Sequence, residues 1–281
     1  MHARVTQLGL PLLPGQVSDV WAVEAQVGFE GLGRGAKVDL DIPEMPGNFV
    51  VLDEYYISRD YGLNVEQAAG DRHVEWSVRR ARGRQRLYYR IELLPAPEPA
   101  PSPVANSKPP PPPRVPDYDE PLGSAIEGLL GDVRSESADI FSFTSQLLVR
   151  LNTESPDDNA VVVRRGVQPG TDAWVERLMY ALAGARITAR MVRGVILDGN
   201  AVSYALTPWL EVHNGERWEG FDPLSGAKGY PPDFLRWSTG SKPLLTLDGG
   251  RDATVQFSVS RYSESLTRIA RERAEAAGTP L

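Results

Sequence analysis

Two clusters in the C-terminal half contain the residues whose types and spacing could do chemistry. The first covers residues 187–194 and includes Arg190, and the second covers residues 207–212 and 218–223 and includes Asp222. A carboxylate there can orient a base or cap a turn, and an arginine can hold a carboxylate or a carbonyl. The chain has no cysteine and three histidines. This composition excludes a thiolate nucleophile and argues against a zinc site built from several histidines.

The two clusters resemble the transglutaminase-like superfamily, a papain-like group of cysteine enzymes. In that superfamily a helix begins with the nucleophilic cysteine. The motifs Ile-Pro-Ala-Arg-x-Val-x-Gly, His-Ala-Trp-x-Glu-Val and Trp-x-x-Phe-Asp-Pro follow. The matching residues here, in the same order, are Ile187, Ala189, Arg190, Val192 and Gly194, then Trp209, Glu211 and Val212, then Trp218, Phe221, Asp222 and Pro223. The resemblance covers about residues 124–260 and implies a papain/transglutaminase-like fold.

The same resemblance puts two catalytic positions on residues that cannot do the family's chemistry. The cysteine position falls on Thr171 or Asp172, the histidine position falls on Thr207, and Asp222 keeps the family type. A threonine hydroxyl ionises only at very high pH, and a threonine cannot shuttle a proton near neutral pH as an imidazole does. Losing the nucleophile or the base costs on the order of 10⁶ in rate in subtilisin. We therefore expect a pseudoenzyme with a vestigial triad.

Each candidate residue also has a purely structural interpretation. Thr171 suits the N-cap of a helix, and Asp222 suits the capping of a turn. Trp209 suits a core position, and Arg190 suits pairing with a carboxylate of its own domain. The functional alternative is contact with a ligand, and the candidates for that contact are Trp174, Trp209, Asp222 and Arg190.

The pattern of apolar residues indicates an α+β domain around these positions. Helical spacing predicts helices at residues 126–133, 141–151 and 171–183. Strand-like segments follow at residues 187–196, 203–212 and 217–222, with a late alternating strand around Val255–Val259. The Asn214-Gly215 pair predicts a hairpin between two of them. Helices followed by an antiparallel meander are typical of the α+β class.

The first third of the chain has a period of two, which predicts an N-terminal antiparallel β-sandwich at residues 1–94. Apolar and polar residues alternate around Val38–Ile42, Val74–Val78 and Leu87–Leu93. Glycines at positions 31, 33 and 83 predict turns between these strands.

A proline-rich segment at residues 95–121 separates the two halves and holds 12 of the 24 prolines. Because proline lacks the amide donor, this segment is expected to be a polyproline II spacer rather than a helix or an inner strand. A ligand for an SH3-type domain is the functional alternative. The transglutaminase-like domain is then expected at residues 122–262. An amphipathic helix carrying Leu266, Ile269 and Ala270 is expected at residues 263–281.

The net charge of −7 argues against a nucleic-acid partner, and no apolar run of about 18 residues is present. A beta-rich region, a spacer and a degenerate transglutaminase domain together resemble bacterial inactive transglutaminases fused to seven transmembrane helices. That resemblance implies an extracytoplasmic, periplasmic domain whose C-terminal helix leads towards the membrane helices of the parent protein. No cofactor or metal is indicated.

Three functions remain open. The first is a binding or sensing module that recognises a peptide or small amide ligand at the free amides of the helix that follows Thr171. The second is a protein–protein docking domain that uses a sheet edge or an apolar patch and takes no small ligand. The third is a hydrolase with Thr171 or Asp172 as nucleophile, assisted by Asp222 or Glu211. A base within hydrogen-bond reach of Thr171 would favour the third.

Overall fold

The computed structural model describes residues 17–44, 48–68, 71–96, 110–201 and 203–265. The described residues form two compact units: those up to 96, within 195–205 and from 243 to 265 make the first, and residues 110–194 and 206–242 make the second. Antiparallel sheets and a helical layer confirm the predicted α+β class. In the described ranges, no helix combines the length and apolar character needed to cross a membrane.

The first unit is built on two strands of 25 residues each, β1 and β4. Its strands are β1 (Val17–Asp41), β2 (Phe49–Ile57), β3 (Gly62–Ala68), β4 (Asp71–Pro95), β9 (Leu245–Asp248) and β10 (Gly250–Ser265). One half of the β1–β4 pair is flanked by β10 and β2, and the other half by β9 and β3. All six strands therefore belong to one sheet by pairing, and the sandwich stays a prediction.

Alternate residues of the long strands form the core of this unit. Val23, Ala25 and Val27 are fully buried, as are Leu87 and Tyr89 on the neighbouring strand. The predicted turns at the glycines are wrong, because Gly31 pairs with Gly83 inside the β1–β4 ladder. The register shifts directly after this pair, between positions 32 and 36 of β1. A glycine with positive φ suits a bulge as well as a turn, and so the glycines did not reveal which one forms.

The second unit places four helices of the described chain over one face of a four-stranded sheet. The helices are α1 (Leu122–Glu136), α2 (Ile140–Asn152), α3 (Asp158–Arg164) and α4 (Asp172–Gly184). The three predicted helices are confirmed, and the short α3 is an addition. The strands are β5 (Thr188–Ile196), β6 (Thr207–His213), β7 (Trp218–Phe221) and β8 (Phe234–Thr239), in the order β7-β6-β5-β8. Met191, Leu210 and Val212 belong to the same buried cluster as the helices, and so that face of the sheet is the one the helices cover.

The strands β9 and β10 differ from the expected domain boundary at residue 262. Residues 245–265 were expected to belong to the transglutaminase-like domain or, from 263, to a helix. In the structure they pair with β1 of the first unit. Alternation identifies a strand but not its partner, because any sheet face that is half buried produces the same pattern. Residues 263–265 are strand, and the rest of the predicted helix lies outside the described residues.

Part of the proline-rich segment packs on the second unit. Residues 97–109 lie outside the described ranges, and so the spacer prediction stands untested there. From residue 110 onward the chain contacts the helical core: Tyr118 packs against it and donates a hydrogen bond to the carbonyl of Tyr180 at 2.8 Å. The Thr188 hydroxyl donates to the Pro111 carbonyl at 3.3 Å. An aromatic residue among prolines thus anchors the end of the segment.

Candidate functional site

The N-terminus of α4 is capped by Thr171, which confirms the structural interpretation of that residue. The Thr171 hydroxyl accepts a hydrogen bond from the Trp174 amide at 3.3 Å and donates one to the Gln168 carbonyl at 2.7 Å. A hydroxyl that accepts from an amide of the first turn and donates to a preceding carbonyl acts as a helix N-cap. Among the described residues, the hydrogen bonds of this hydroxyl go to backbone groups and none joins it to a histidine or a carboxylate.

Trp174 joins the first turn of α4 to the loop that follows β7. Its side chain is fully buried, and the indole Nε1–H donates to the Pro223 carbonyl at 3.1 Å. The Asn152 amide at the end of α2 donates to the same carbonyl at 3.0 Å. The structure therefore places Trp174 in the core and not at the wall of a groove.

Asp222 caps the turn after β7, as its structural interpretation predicts. One carboxylate oxygen accepts from the Leu224 amide at 2.9 Å, and the other accepts from the Ser225 hydroxyl at 2.6 Å. The Ser145 hydroxyl on α2 donates to the Gly226 carbonyl at 2.6 Å and ties the same turn to the helices. The last position of the vestigial triad thus shapes a turn.

Thr207 is the first residue of β6 and lies opposite Gly194 of β5. A Cβ atom at Gly194 would come within 2.3 Å of the Phe234 ring and 2.6 Å of the Leu235 carbonyl oxygen. The Phe234 ring also packs on Trp209, with 5.3 Å between centroids. The indole Nε1–H of Trp209 donates to a backbone carbonyl, and the side chain is 7% exposed. Aromatic packing therefore occupies this end of the sheet.

A buried ionic cluster lies on the sheet face opposite the helices, because residue 211 alternates with the helix-facing residues 210 and 212. The Glu211 carboxylate is 3% exposed and accepts three hydrogen bonds, from Arg190 Nε at 2.5 Å, the Tyr230 hydroxyl at 2.6 Å and Arg236 Nη1 at 2.7 Å. Arg190 also stacks on the Trp218 ring at 3.8 Å. Burial and the neighbouring Glu211 raise the pKa of Tyr230 well above its usual range.

Arg190 therefore pairs with a carboxylate of its own domain, which confirms that interpretation. Within the described chain, the motif residues Arg190 and Glu211 bind each other and support the sheet. The alternative role of Arg190 in ligand contact stays a prediction, and its Nη2 is a buried atom without a hydrogen-bond partner.

His213 lies at the opposite end of β6 from Thr207, as expected. The two residues are six positions apart, or about 20 Å along a strand. The histidine is 6% exposed, and its Nδ1 accepts from the Gly215 amide at 3.0 Å. Burial, with a smaller contribution from the Arg190 guanidinium, lowers the pKa of His213. His213 therefore lies too far from Thr207 to act at that position.

Arg193 is the residue at this site that sequence reasoning missed. It lies on β5 opposite Pro208, the residue that follows Thr207 in β6. Its side chain is 10% exposed, and Nη1 lies 3.8 Å from the carboxylate of Asp172, the first residue of α4. Its Nη2 donates to the Lys242 carbonyl, and its Nε is buried without a hydrogen-bond partner. The signal was a second arginine in β5, at the next alternate position after the buried Met191.

Two contacts link the start of α4 to the elements that carry the other expected triad positions. The indole of Trp174 connects the start of α4 to the turn of Asp222, and Arg193 connects it to the strand pair that contains Thr207. By alternation Thr207 shares the sheet face of Trp209 and Glu211, opposite the helices, and the assignment of a vestigial triad to Thr171, Thr207 and Asp222 stays a prediction. In the described residues, no group of three or more metal-binding side chains is present.

Comparisons with known proteins agree with this architecture. A family model described as "Inactive transglutaminase fused to 7 transmembrane helices" matches residues 3–166. A crystal structure of a protein from Cytophaga hutchinsonii, assigned as a cysteine protease, is similar over 90% of this chain and 92% of that chain. The TM-score is 0.52 and the sequence identity is 13%. At that identity the likeness shows a shared fold. No curated protein matches this chain.

Proposed function

Because this chain belongs to the family of inactive transglutaminases fused to seven transmembrane helices, we propose that it is a non-catalytic, extracytoplasmic recognition domain. The family match covers residues 3–166, and the transglutaminase-like motifs begin only at Ile187. Two separate parts of the chain therefore support the same assignment. The replacement of cysteine and histidine by Thr171 and Thr207 explains in chemical terms why such a domain would be inactive.

The ligand proposed here is a peptide or amide-like molecule with a free carboxylate, bound where the substrate of an active relative would react. One observation carries the proposal: the Arg193 guanidinium is nearly buried beside the N-terminus of α4 and keeps one N–H without a partner. Leaving a charged donor unsatisfied in a buried place costs free energy that a bound carboxylate would recover. The helix N-terminus adds free amides and a partial positive charge.

Asp172 is the internal carboxylate that this ligand would displace. Its contact with Arg193 is long, at 3.8 Å, and its side chain is 49% exposed. An exposed, loosely paired carboxylate gives up little free energy when a ligand replaces it. Trp174 and Trp209, which the sequence suggested as ligand contacts, are both buried and are left out of the proposed contact surface.

A thermal-unfolding screen tests this function. The chain is heated with short peptides, including cell-wall stem peptides and glutamate-rich peptides, each with its carboxyl groups either all free or all amidated. A ligand at 100 times its dissociation constant adds about 2.7 kcal/mol. We expect stabilisation by free carboxylates, and its loss in Arg193→Gln. The matched control is Arg186→Gln, at an exposed arginine of the same unit. Equal stabilisation of both variants, or by the amidated peptides, would refute the proposal.

One observation favours docking of a protein segment as the second candidate. Strand β3 pairs with β4 along one edge, and its Leu63 and Val65 side chains are 48% and 39% exposed. An extended segment of a partner could add to the other edge as a further strand. Crosslinking in the membrane-anchored parent protein distinguishes the two functions. Docking is favoured if Val65→Lys removes a crosslinked partner while Arg193→Gln leaves it in place.

A further inference from the structure

The strand β4 carries a concentrated positive charge in a chain whose net charge is −7. Residues 79–90 contain six arginines and no acidic residue. Five of these arginines are exposed, and one more exposed arginine lies on β1 where the ladder bulges. We call the set the arginine patch: Arg34, Arg79, Arg80, Arg82, Arg84 and Arg86. The average charge of the chain conceals this local charge.

No carboxylate in the described part of the chain forms an ion pair with any arginine of the patch. Arg90, in the same strand, differs because it binds Glu92 at 2.8 Å. Arg82, Arg84 and Arg86 are alternate residues and therefore share a face, about 7 Å apart. Glu30 lies opposite Arg84 across the β1–β4 ladder without forming an ion pair, and this single carboxylate is outnumbered by the three arginines, whose like charges repel one another. An anionic surface would relieve that repulsion.

An exposed leucine lies among these charges. Leu32 is 47% exposed and pairs with Arg82 across the β1–β4 ladder. Cross-strand partners point to the same face, and so the leucine and the arginine side chains lie side by side. Basic side chains around an exposed aliphatic side chain are the combination that binds the boundary between lipid headgroups and acyl chains. Single-stranded nucleic acid would instead be bound by aromatic side chains on which its bases stack.

From these observations we infer that the arginine patch binds the surface of a membrane that contains anionic phospholipid. Guanidinium groups bind phosphate oxygens in bidentate pairs, and Leu32 enters the interface between them. The family to which the chain belongs carries seven transmembrane helices, which hold the domain within reach of a bilayer. The patch lies in the first unit and is therefore independent of the peptide site proposed above.

Vesicle cosedimentation of the 281-residue chain tests this inference. One set of vesicles contains phosphatidylcholine alone, and the other also contains roughly one-third phosphatidylglycerol. Each basic residue near an anionic leaflet contributes about 1 kcal/mol, or about fivefold in binding. We expect binding to the anionic vesicles only, and loss of binding when salt is raised from about 0.1 M to about 1 M, where the Debye length falls to about 3 Å.

The variant R82Q/R84Q/R86Q is expected to bind about 100-fold more weakly. Its matched control is R114Q/R134Q/R165Q, which removes the same charge from exposed positions of the second unit. Unfolding midpoints show that both variants fold. Equal losses in the two variants, equal binding to both kinds of vesicle, or no binding to either would overturn the inference. Binding to heparin or polyglutamate without binding to vesicles would also overturn it.

Discussion

The buried carboxylate of Glu211 offers a sharp test of how the second unit is held together. Substitution of Glu211 by glutamine keeps the size and shape of the side chain and removes the charge. The carboxylate accepts hydrogen bonds from Arg190, Arg236 and Tyr230. An amide oxygen can accept from some of these donors, but the amide nitrogen adds a donor where only acceptors are needed.

The expected loss follows from the burial of the two arginines. Their side chains are 20% and 17% exposed, so neither can turn fully into water once Glu211 is neutral. Removing one partner of a buried ion pair costs about 3–5 kcal/mol, because the remaining charge stays buried. For a domain of 150–250 residues, each kcal/mol lowers the unfolding midpoint by about 2–4 °C. The midpoint should therefore fall by about 6–20 °C.

The assay is thermal unfolding followed by near-ultraviolet circular dichroism, which reports on Trp209, Trp218 and Tyr230 around the cluster. The matched control is Glu219→Gln on the neighbouring strand β7. Glu219 pairs at 3.3 Å with Arg217, whose side chain is 63% exposed. An exposed pair of this kind contributes less than about 1 kcal/mol. If Glu211→Gln melts as the control does, then the cluster does not stabilise the sheet and the reasoning is refuted.

Three further predictions follow from single contacts. Thr171→Ala should lower the free energy of unfolding by about 1 kcal/mol because it removes the helix cap, whereas Thr171→Ser keeps a capping hydroxyl and should leave that free energy nearly unchanged. Urea titrations measure both. Gly194→Ala should cost about 1–3 kcal/mol because its Cβ would lie 2.3 Å from the Phe234 ring; an unchanged urea midpoint would disprove this. The lowered pKa of His213 means that the unfolded chain takes up the proton first as the pH falls below 6.5. Stability should therefore drop in that range, and His213→Gln should flatten this part of the pH profile.

Local patterns in the sequence were sufficient for three of the helices, for two short-range caps and for the family. Apolar residues at helical spacing predicted α1, α2 and α4, because the buried face of a helix repeats every 3.6 residues whatever it packs against. The cap at Thr171 and the turn at Asp222 were predictable for the same reason, since each bonds to a backbone group within three residues. The three transglutaminase-like motifs likewise follow one another along the chain, on β5, on β6, and on β7 with the turn after it.

Strand partners depended on tertiary structure. The alternation in residues 250–265 predicted a strand, but only the folded chain shows that it pairs with β1, more than 200 residues earlier. The glycines at 31 and 83 marked an irregularity, and the fold made it a bulge in a continuous ladder. Long-range pairing is decided by which edges are free when the sheet assembles, and a period of two carries no information about that.

The roles of individual charged residues were decided in the same way. Sequence identified Arg190 through its motif, but the three-dimensional contacts determine that it binds Glu211 and that Arg193 keeps an unpaired N–H beside α4. The arginines of residues 79–86 are visible in the sequence as a run of charge, whereas their exposure and lack of ion pairs are tertiary facts. A residue's type follows from the sequence alone, but the free energy of its charge depends on burial and on neighbours that folding brings from distant positions.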